Sequence, residues 1–426
     1  MADARPVTPA PGPLNATVSV PGSKSLTNRA LVCAALAGGH STIDGALVAD
    51  DTEAMRTALA TLGAGIARDP SSGRLLVTGT GGRLRQGPLA LNMRLSGTTS
   101  RFLLPVVALG DGEYRIDGAP PLRGRPMAPV LDGIRSLGAE VREEGEPGCL
   151  PVTVIAPGVL DGGEAAVAGD MSSQFVSGLL LAAPYTRAGV RLRLTTRLVS
   201  RPYVELTRAV MAAFGVEVGP ELDVPAGRYD ATTYVVEPDA STASYFLAAA
   251  ALVGGRVTVP GLGAGTRQGD ARITDLLEAM GAGVERTETT TTVTGTGRLR
   301  GLGLLDLSDM PDMAQTVAAL APFADGPTEV TGVGFIRGHE TDRIAAVVTE
   351  LGRLGIDARA TGDGFVVQPG EPHPARIATY DDHRMAMSFA LVGLRVPGVE
   401  IAGPDCVAKT FPGFWDALDG LSAPSL

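Results

Sequence analysis

Pro21-Gly-Ser-Lys-Ser-Leu-Thr-Asn-Arg29-Ala-Leu-Val-Cys-Ala-Ala-Leu-Ala-Gly-Gly39 opens with polar and cationic residues and then turns almost wholly to Ala and Leu. Such a stretch predicts a helix buried along its length with a polar mouth at its N-terminus. Ser23 offers the cap oxygen, and Gly38-Gly39 is expected to supply a left-handed exit. Lys24 and Arg29 lie at the helix end whose dipole disfavours cations. Two cations there are accounted for if a polyanion joins them.

The same shape returns five more times. Ser96-Gly-Thr-Thr-Ser-Arg101, Ser172-Ser-Gln174, Asp239-Ala-Ser-Thr242, Asp312-Met-Ala-Gln315 and Asp382-His-Arg384 each lead into an apolar run. Mouth to mouth (23, 96, 172, 241, 312, 382) the steps are 73, 76, 69, 71 and 70 residues. A second series runs in phase. Amphipathic helices are predicted to end at Leu62-Gly63, Leu137-Gly138, Phe214-Gly215, Met280-Gly281 and Leu354-Gly355, with Gly spacings of 75, 77, 66 and 74. Two series agreeing on one period establish a repeat that reads strand, buried helix, strand, amphipathic helix, strand, strand. The period is longer than the roughly 20 to 50 residues of a solenoid, and three such repeats make a domain of ordinary size. Two domains of three repeats are therefore expected, with polar mouths converging on one face of each. Crossings are placed near 21–22 and 237–239. The first domain is then 23–237, and the second is 1–22 plus 239–426, the strand Leu14 to Val20 included. A chain crossing twice makes a natural hinge.

Hydrophobic content of 44% is ample for large cores, but aromatics at 4% leave the packing to Ala, Leu and Val. The 56 Gly and 31 Pro suit many short turns. A formal charge of −10 argues against nucleic-acid or anionic-membrane binding, so any anion site must be a local basic cluster. Three cysteines without ligand-like spacing suggest neither disulfides nor a metal, and Cys33 in an apolar helix reads as an inert thiol. Residues 1–15 read as a loose tail rather than a signal peptide, and no apolar run reaches about 18 residues. A soluble, cytoplasmic protein is expected.

Along the chain, Asp50-Asp51-Thr52 should cap the first amphipathic helix, and 66–90 read as hairpin strands with Gly-Thr-Gly-Gly turns. Gly97 at a helix mouth lets backbone approach a ligand closely. Arg125-Pro126 and Arg201-Pro202 each place Pro where it suits a first helical turn, with Arg at the cation-disfavouring end. Gly338-His-Glu-Thr-Asp-Arg343 and Thr379-Tyr-Asp-Asp-His-Arg384 are dense polar clusters, followed by Lys409. His339 and His383 lack the partners a metal would need. The mouths together provide Lys24, Arg29, Arg101, Arg125, Arg343, Arg384 and Lys409, with Ser25, Ser172, Ser173 and Ser200 as neutral donors. Asp312 and Glu340 are the carboxylates among them. Two groups of cations split over two domains suit two small anionic substrates held between them. Carboxylates amid cations suit proton transfer.

Pro21-Gly-Ser-Lys-Ser-x-Thr-Asn-Arg29, Gly97-Thr-x-x-Arg101, Arg125-Pro126, Ser172-Ser-Gln-Phe175, Glu340-Thr-Asp-Arg343, Asp382-His-Arg-Met-Ala386 and Ala408-Lys-Thr-Phe411 resemble the motif series of the 5-enolpyruvylshikimate-3-phosphate synthase family. They stand in that family's order from 18 to 415. The resemblance implies an α+β fold of two inverse half-barrel domains, each of three βαβαββ units. It implies transfer of the enolpyruvyl group of phosphoenolpyruvate to the 5-hydroxyl of shikimate 3-phosphate, with release of phosphate. It assigns Ser25 and Arg29 to the shikimate carboxylate and Ser172, Ser173 and Ser200 to its phosphate. Gln174 and Tyr203 line the site, and His339 is a further contact to shikimate 3-phosphate. Lys24, Arg125, Arg343, Arg384 and Lys409 clamp phosphoenolpyruvate, with Gln174 and the Gly97 backbone alongside. Asp312 takes the hydroxyl proton, Glu340 donates to the methylene, and Lys24 joins the catalytic set. No cofactor or metal is implied. Glyphosate is the implied inhibitor, and a monomer is expected.

Leu95 and Phe335 stand where the family often carries Asn, and His339 where it often carries Lys. Neither Leu nor Phe can donate a hydrogen bond, which bears on substrate affinity. The related transferase acting on UDP-N-acetylglucosamine is the alternative; its mobile loop typically holds a Cys, and Pro120-Pro-Leu-Arg-Gly-Arg125 has none. A non-catalytic anion-binding protein on the same repeat is the other.

Overall fold

A computed structural model describes residues 3–421 as a mixed α/β protein with six small mixed sheets, none of them closed. Residues 22–236 form one compact lobe. The described residues up to Pro21, together with those from Glu237 on, form the other. Each lobe has its own hydrophobic core.

The second repeat shows the pattern most fully. Strand Leu89–Asn92 leads to the buried helix Gly97–Val107 and returns as Asp111–Asp117, parallel to the first strand. Helix Ala128–Ser136 follows, and Val152–Pro157 completes the sheet, pairing antiparallel with both Asp111–Asp117 and the edge strand Glu140–Glu143. In the first repeat the opening strand is supplied from the far end of its lobe, by Thr233–Val235 beside Gly38–Asp44. The fourth repeat does the same with Leu14–Thr17, parallel to Gly255–Pro260. Each lobe is thus closed by a strand distant in sequence, a pairing that no local periodicity can announce.

The six buried helices are Lys24–Leu36, Gly97–Val107, Ser173–Ala182, Ala240–Val253, Ala314–Leu320 and His383–Gly393. In the fourth, every residue from Ala240 to Leu252 is buried. Small side chains permit that close approach on all sides, and each fully buried Leu adds about 1.5–3 kcal/mol of transfer free energy. The outer helices end where the second series places them, with Gly63, Gly138, Gly215, Gly281 and Gly355 at φ of 114°, 108°, 84°, 103° and 81°. Those values demand a residue without Cβ.

Several local expectations are corrected. Residues 4–15 are not a loose tail: Ala4–Pro6 pairs with Glu400–Ala402, and Val7 and Leu14 are buried. The first buried helix exits at Ala37 in extended backbone, and Gly38-Gly39 begins a strand instead. Within 66–90, only Gly65–Arg68 and Leu75–Thr80 form the hairpin, while Leu89–Asn92 belongs to the next sheet. Pro126 precedes the helix; Met127 is its cap residue and Pro129 occupies its first turn. No described helix is long and apolar enough to cross a membrane.

Candidate active site

Five of the six mouths are capped by the residue type that the sequence offers. Ser23, Ser96, Ser172, Asp239 and Asp382 accept from the backbone N–H of Leu26, Thr99, Gln174, Thr242 and Arg384. The fifth mouth departs. A short 3₁₀ turn, Pro311–Met313, precedes its helix, and the Asp312 side chain makes no cap there. Its carboxylate is turned to guanidinium groups instead.

In the lobe of residues 22–236, Lys24 Nζ lies 3.3 Å from Asp51 Oδ2, in the first turn of the neighbouring helix Asp50–Thr61. That carboxylate answers the cation at the helix mouth. Thr52 serves the turn itself, accepting from Ala49 N and donating to Leu47 O. Arg29 is only 1% exposed. Its Nε donates to Thr207 Oγ1 at 2.8 Å, Nη1 to Ser25 O at 2.8 Å, and Nη2 to Ser177 Oγ at 3.3 Å and Tyr203 O at 3.0 Å. Four of the five N–H groups of the guanidinium are thereby used, leaving one on Nη1 for a ligand. Burial lowers its pKa to about 10.

The second and third mouths are joined directly. Arg101 Nη1 donates to Gln174 Oε1 at 2.9 Å, and Nη2 donates to Pro126 O at 3.3 Å. A Cβ built on Gly97 would come 2.9 Å from Arg125 Nη1 and 3.9 Å from Arg101 Nη1. Gly97, Arg101, Arg125 and Gln174 therefore form one neighbourhood. Ser172, Ser173 and Ser200 are all buried. Ser172 accepts a cap bond, which leaves its O–H proton for another acceptor. Ser200 holds φ 53°, ψ 39°, a left-handed conformation costly for a non-glycine residue and frequent at ligand sites.

In the other lobe Arg343 is a hub, 1% exposed. Its Nε donates to Asp382 Oδ2 at 2.7 Å, Nη1 to Asp312 Oδ1 at 2.9 Å, and Nη2 to Glu340 Oε2 at 2.9 Å. His339 Nδ1 lies 3.1 Å from Nη1. Arg384 Nη2 donates to the second oxygen of Asp312 at 2.6 Å, and Lys409 Nζ to the second oxygen of Glu340 at 2.8 Å. Arg343, Arg384 and Lys409 are thus matched by Asp312, Glu340 and Asp382, three cations to three carboxylates. Burial pulls the Arg343 pKa down, but Asp382, Glu340 and Asp312 together outweigh it and raise it above the ordinary value. The three carboxylates offset the cost of burying that charge.

Asp382, Asp51 and Tyr245 are members to which the sequence reading gave no role in the site. Asp382 both caps the sixth helix and grips Arg343; Tyr245 OH lies 3.4 Å from Arg384 Nη1. The signal for Asp382 was the demand of a buried Arg for more than one carboxylate. The fourth mouth is of a different kind. Its Ser241 bonds to Asp270, and its Ala240 N–H donates to Gln268. Leu95 is 46% exposed, and Phe335 packs its ring edge-on to His339 at 6.0 Å.

Helix mouths that gather guanidinium groups, hydroxyls and paired carboxylates on repeated α/β units define a transferase acting on small anionic metabolites. The pattern of the EPSP synthase family (3-phosphoshikimate 1-carboxyvinyltransferase) matches residues 8–418. The 3-phosphoshikimate 1-carboxyvinyltransferase of Nostoc punctiforme is 46% identical over 408 residues, spanning 95% of each chain. The chloroplastic one of Nicotiana tabacum is 39% identical over 436 residues, with 96% of this chain and 83% of that one covered. The EPSP synthase structure from Acinetobacter baumannii superposes with a TM-score of 0.81 at 26% identity and covers 98% of both chains. The chain belongs to the EPSP synthase family, with the transferase activity of that family in the shikimate pathway.

Proposed function

We propose that the reaction is carried by Asp312 and Glu340, two carboxylates held on one guanidinium. The observation that supports this is their shared attachment to Arg343, with Asp312 on Nη1 and Glu340 on Nη2. A base and an acid fixed to one rigid planar fork keep a constant spacing, as proton transfer at two ends of one small substrate requires. Asp312 removes the proton of the shikimate 5-hydroxyl as its oxygen bonds to C2 of phosphoenolpyruvate. Glu340 supplies the proton that C3 gains. Phosphate then leaves C2 of the tetrahedral adduct as one proton of the C3 methyl returns to the Glu340 carboxylate, which forms the enol ether of the product. Glu340 faces Lys409 and Arg343. It can take up a proton once a substrate anion draws Lys409 off, while Arg343 still holds it.

The other roles follow the chemistry of each group. Ser25 and the remaining Arg29 N–H take the shikimate carboxylate. Ser172, Ser173 and Ser200 donate to its phosphate, with Gln174, Tyr203 and His339 as further contacts. Lys24, Arg125, Arg343, Arg384 and Lys409 serve the phosphate and carboxylate of phosphoenolpyruvate, with the Gly97 backbone and Gln174 beside them. Arg forks match both anions, and cations held in place stabilise charge that moves between them. The three repeats of each lobe are read as an inverse half-barrel, and the protein as a cytoplasmic monomer.

Phosphate release should require both substrates, and in D₂O the product methylene should acquire deuterium. Glu340→Gln should lower kcat by roughly 10² to 10⁴, the worth of a general acid, and slow deuterium entry in parallel. Normal deuterium entry in that variant would remove Glu340 from the proton path.

A further inference from the structure

We propose that Arg101, to which the family likeness gives no ligand role, is a positioning residue that aims Gln174 and anchors the segment carrying Arg125. The inference rests on the site reading above and deepens it. Arg101 is 5% exposed, too deep for a solvated charge. Its guanidinium lies 4.8 Å from the centroid of the Phe175 ring, which fixes the plane of the fork. From that plane one arm reaches Gln174 Oε1 and the other reaches Pro126 O, the carbonyl next to Arg125.

The chemistry of the first contact is directional. Guanidinium N–H groups only donate, so the group that Gln174 turns to Arg101 must be its oxygen. The amide Nε2 is then left as the group able to meet a ligand, and it too is a donor. Gln174 so held favours an acceptor such as a carboxylate, phosphate or ether oxygen and disfavours a ligand N–H or ammonium. The second contact acts on the backbone. Pro126 follows Arg125 directly, and the Arg125 fork lies where a Gly97 Cβ would meet it at 2.9 Å. One buried cation thus sets the orientation of an amide on the third buried helix and the base of an arginine beyond the second. A lysine at 101 could reach one of these partners but not both in a fixed plane.

The test compares Arg101→Lys, Gln174→Glu, their double variant and Arg125→Ala by steady-state kinetics, with thermal melts as a control. Arg101→Lys should raise the KM for phosphoenolpyruvate roughly tenfold, the value of one charge-assisted hydrogen bond, while kcat at saturation changes less than about threefold. Gln174→Glu keeps an oxygen for Arg101 but loses the outward donor, and should raise the same KM by a similar factor. Because both act through one contact, the double variant should be no worse than about twice the weaker single variant. Arg101→Lys with a lowered melting temperature but an unchanged KM would make Arg101 structural only and overturn the proposal. Multiplicative effects in the double variant would also overturn it, since the two residues would then act separately. If Arg125→Ala leaves the KM unchanged, the site reading itself fails; if that variant raises the KM and Arg101→Lys does not, only the positioning role fails.

Discussion

Asp312→Asn tests the site where its chemistry and its electrostatics meet. Asp312 offers one oxygen to Arg343 at 2.9 Å and the other to Arg384 at 2.6 Å. Asparagine keeps one oxygen and presents an NH₂ to the second guanidinium, donor against donor. Losing one charge-assisted bond costs about 1.5–3 kcal/mol of orientation. The same change removes an anion from beside the cations proposed to hold phosphoenolpyruvate. At 4 Å and an effective dielectric of about 20, relief of that repulsion is worth up to about 4 kcal/mol. The two effects on substrate binding are opposed and of similar size, so the KM for phosphoenolpyruvate should stay within about tenfold of wild type. The chemical step has no such compensation, and kcat should fall by roughly 10² to 10⁴. The empty protein should also lose stability, because three cations then face two carboxylates; breaking a buried pair costs about 3–5 kcal/mol. Saturating phosphate-release kinetics and ligand-free urea melts measure both. A kcat within threefold of wild type would refute Asp312 as the base, and an unchanged melt would refute the coupled network.

Gly97→Ala adds a Cβ that meets the Arg125 head at 2.9 Å, so that head must give way. The ratio of glyphosate Ki to phosphoenolpyruvate KM should rise roughly 30- to 150-fold, from a steric loss of about 2–3 kcal/mol, and an unchanged ratio would take Gly97 out of the shared site. Glu350, fully buried, accepts Ala378 N at 3.0 Å and Tyr380 OH at 2.6 Å beside two left-handed residues, Tyr380 and Asp381. Glu350→Ala should cost roughly 2–4 kcal/mol in a urea melt, and a loss under 1 kcal/mol would show that the loop holds itself. Burial raises Tyr185 and Tyr245 to about 12, and Tyr229 well above its ordinary value. Their folded pKa values exceed the unfolded value of about 10, so this stability is complete below pH 10 and is lost as pH rises towards 12. Thermal melts should show Tm falling from about pH 10 upward, less steeply in Tyr245→Phe; a flat Tm to pH 11 would contradict the sign.

The repeat was legible because it is written in local chemistry. Hydroxyl or carboxylate caps, Ala-rich bodies and left-handed glycines recur in phase, and each is a property of a few neighbouring residues. What escaped was long-range. Strand Thr233–Val235 completes a sheet begun at Gly38, and Ala4–Pro6 pairs across nearly 400 residues with Glu400–Ala402. Three-residue strands carry too little alternation to be seen before their partners are known. Pro126 misled because Pro suits both a first turn and the residue before a cap, and only the neighbouring Pro129 decides between them. Within the candidate site the cations were legible, as charges out of place. Asp51 and Asp382 were hidden in plain sight as ordinary helix-start residues, a role that Asp fills equally well without any ligand.

Those two aspartates change the meaning of the misplaced cations. From sequence, Lys24 at a helix N-terminus called for an external polyanion; in the structure Asp51 stands 3.3 Å away and meets that demand. Arg343, Arg384 and Lys409 are likewise answered from within. The cations therefore do not by themselves require a ligand, and substrate does not enter a vacant positive field. Under the roles proposed above, its phosphate and carboxylate groups compete with carboxylates already in place, and binding is an exchange of partners. Such an exchange would keep Arg343, Arg384 and Lys409 paired with anions throughout, which is what burying those charges requires. It also fits the proposed chemistry. Exchange at Arg384 and Lys409 would leave Asp312 and Glu340 each with one cation fewer while both stay on Arg343, and a carboxylate with fewer cations beside it holds a proton more readily. Asp382 differs. Fully buried, it grips Arg343 through Nε and spends its other oxygen on the helix cap, so it keeps the hub in place while the outer pairs change hands.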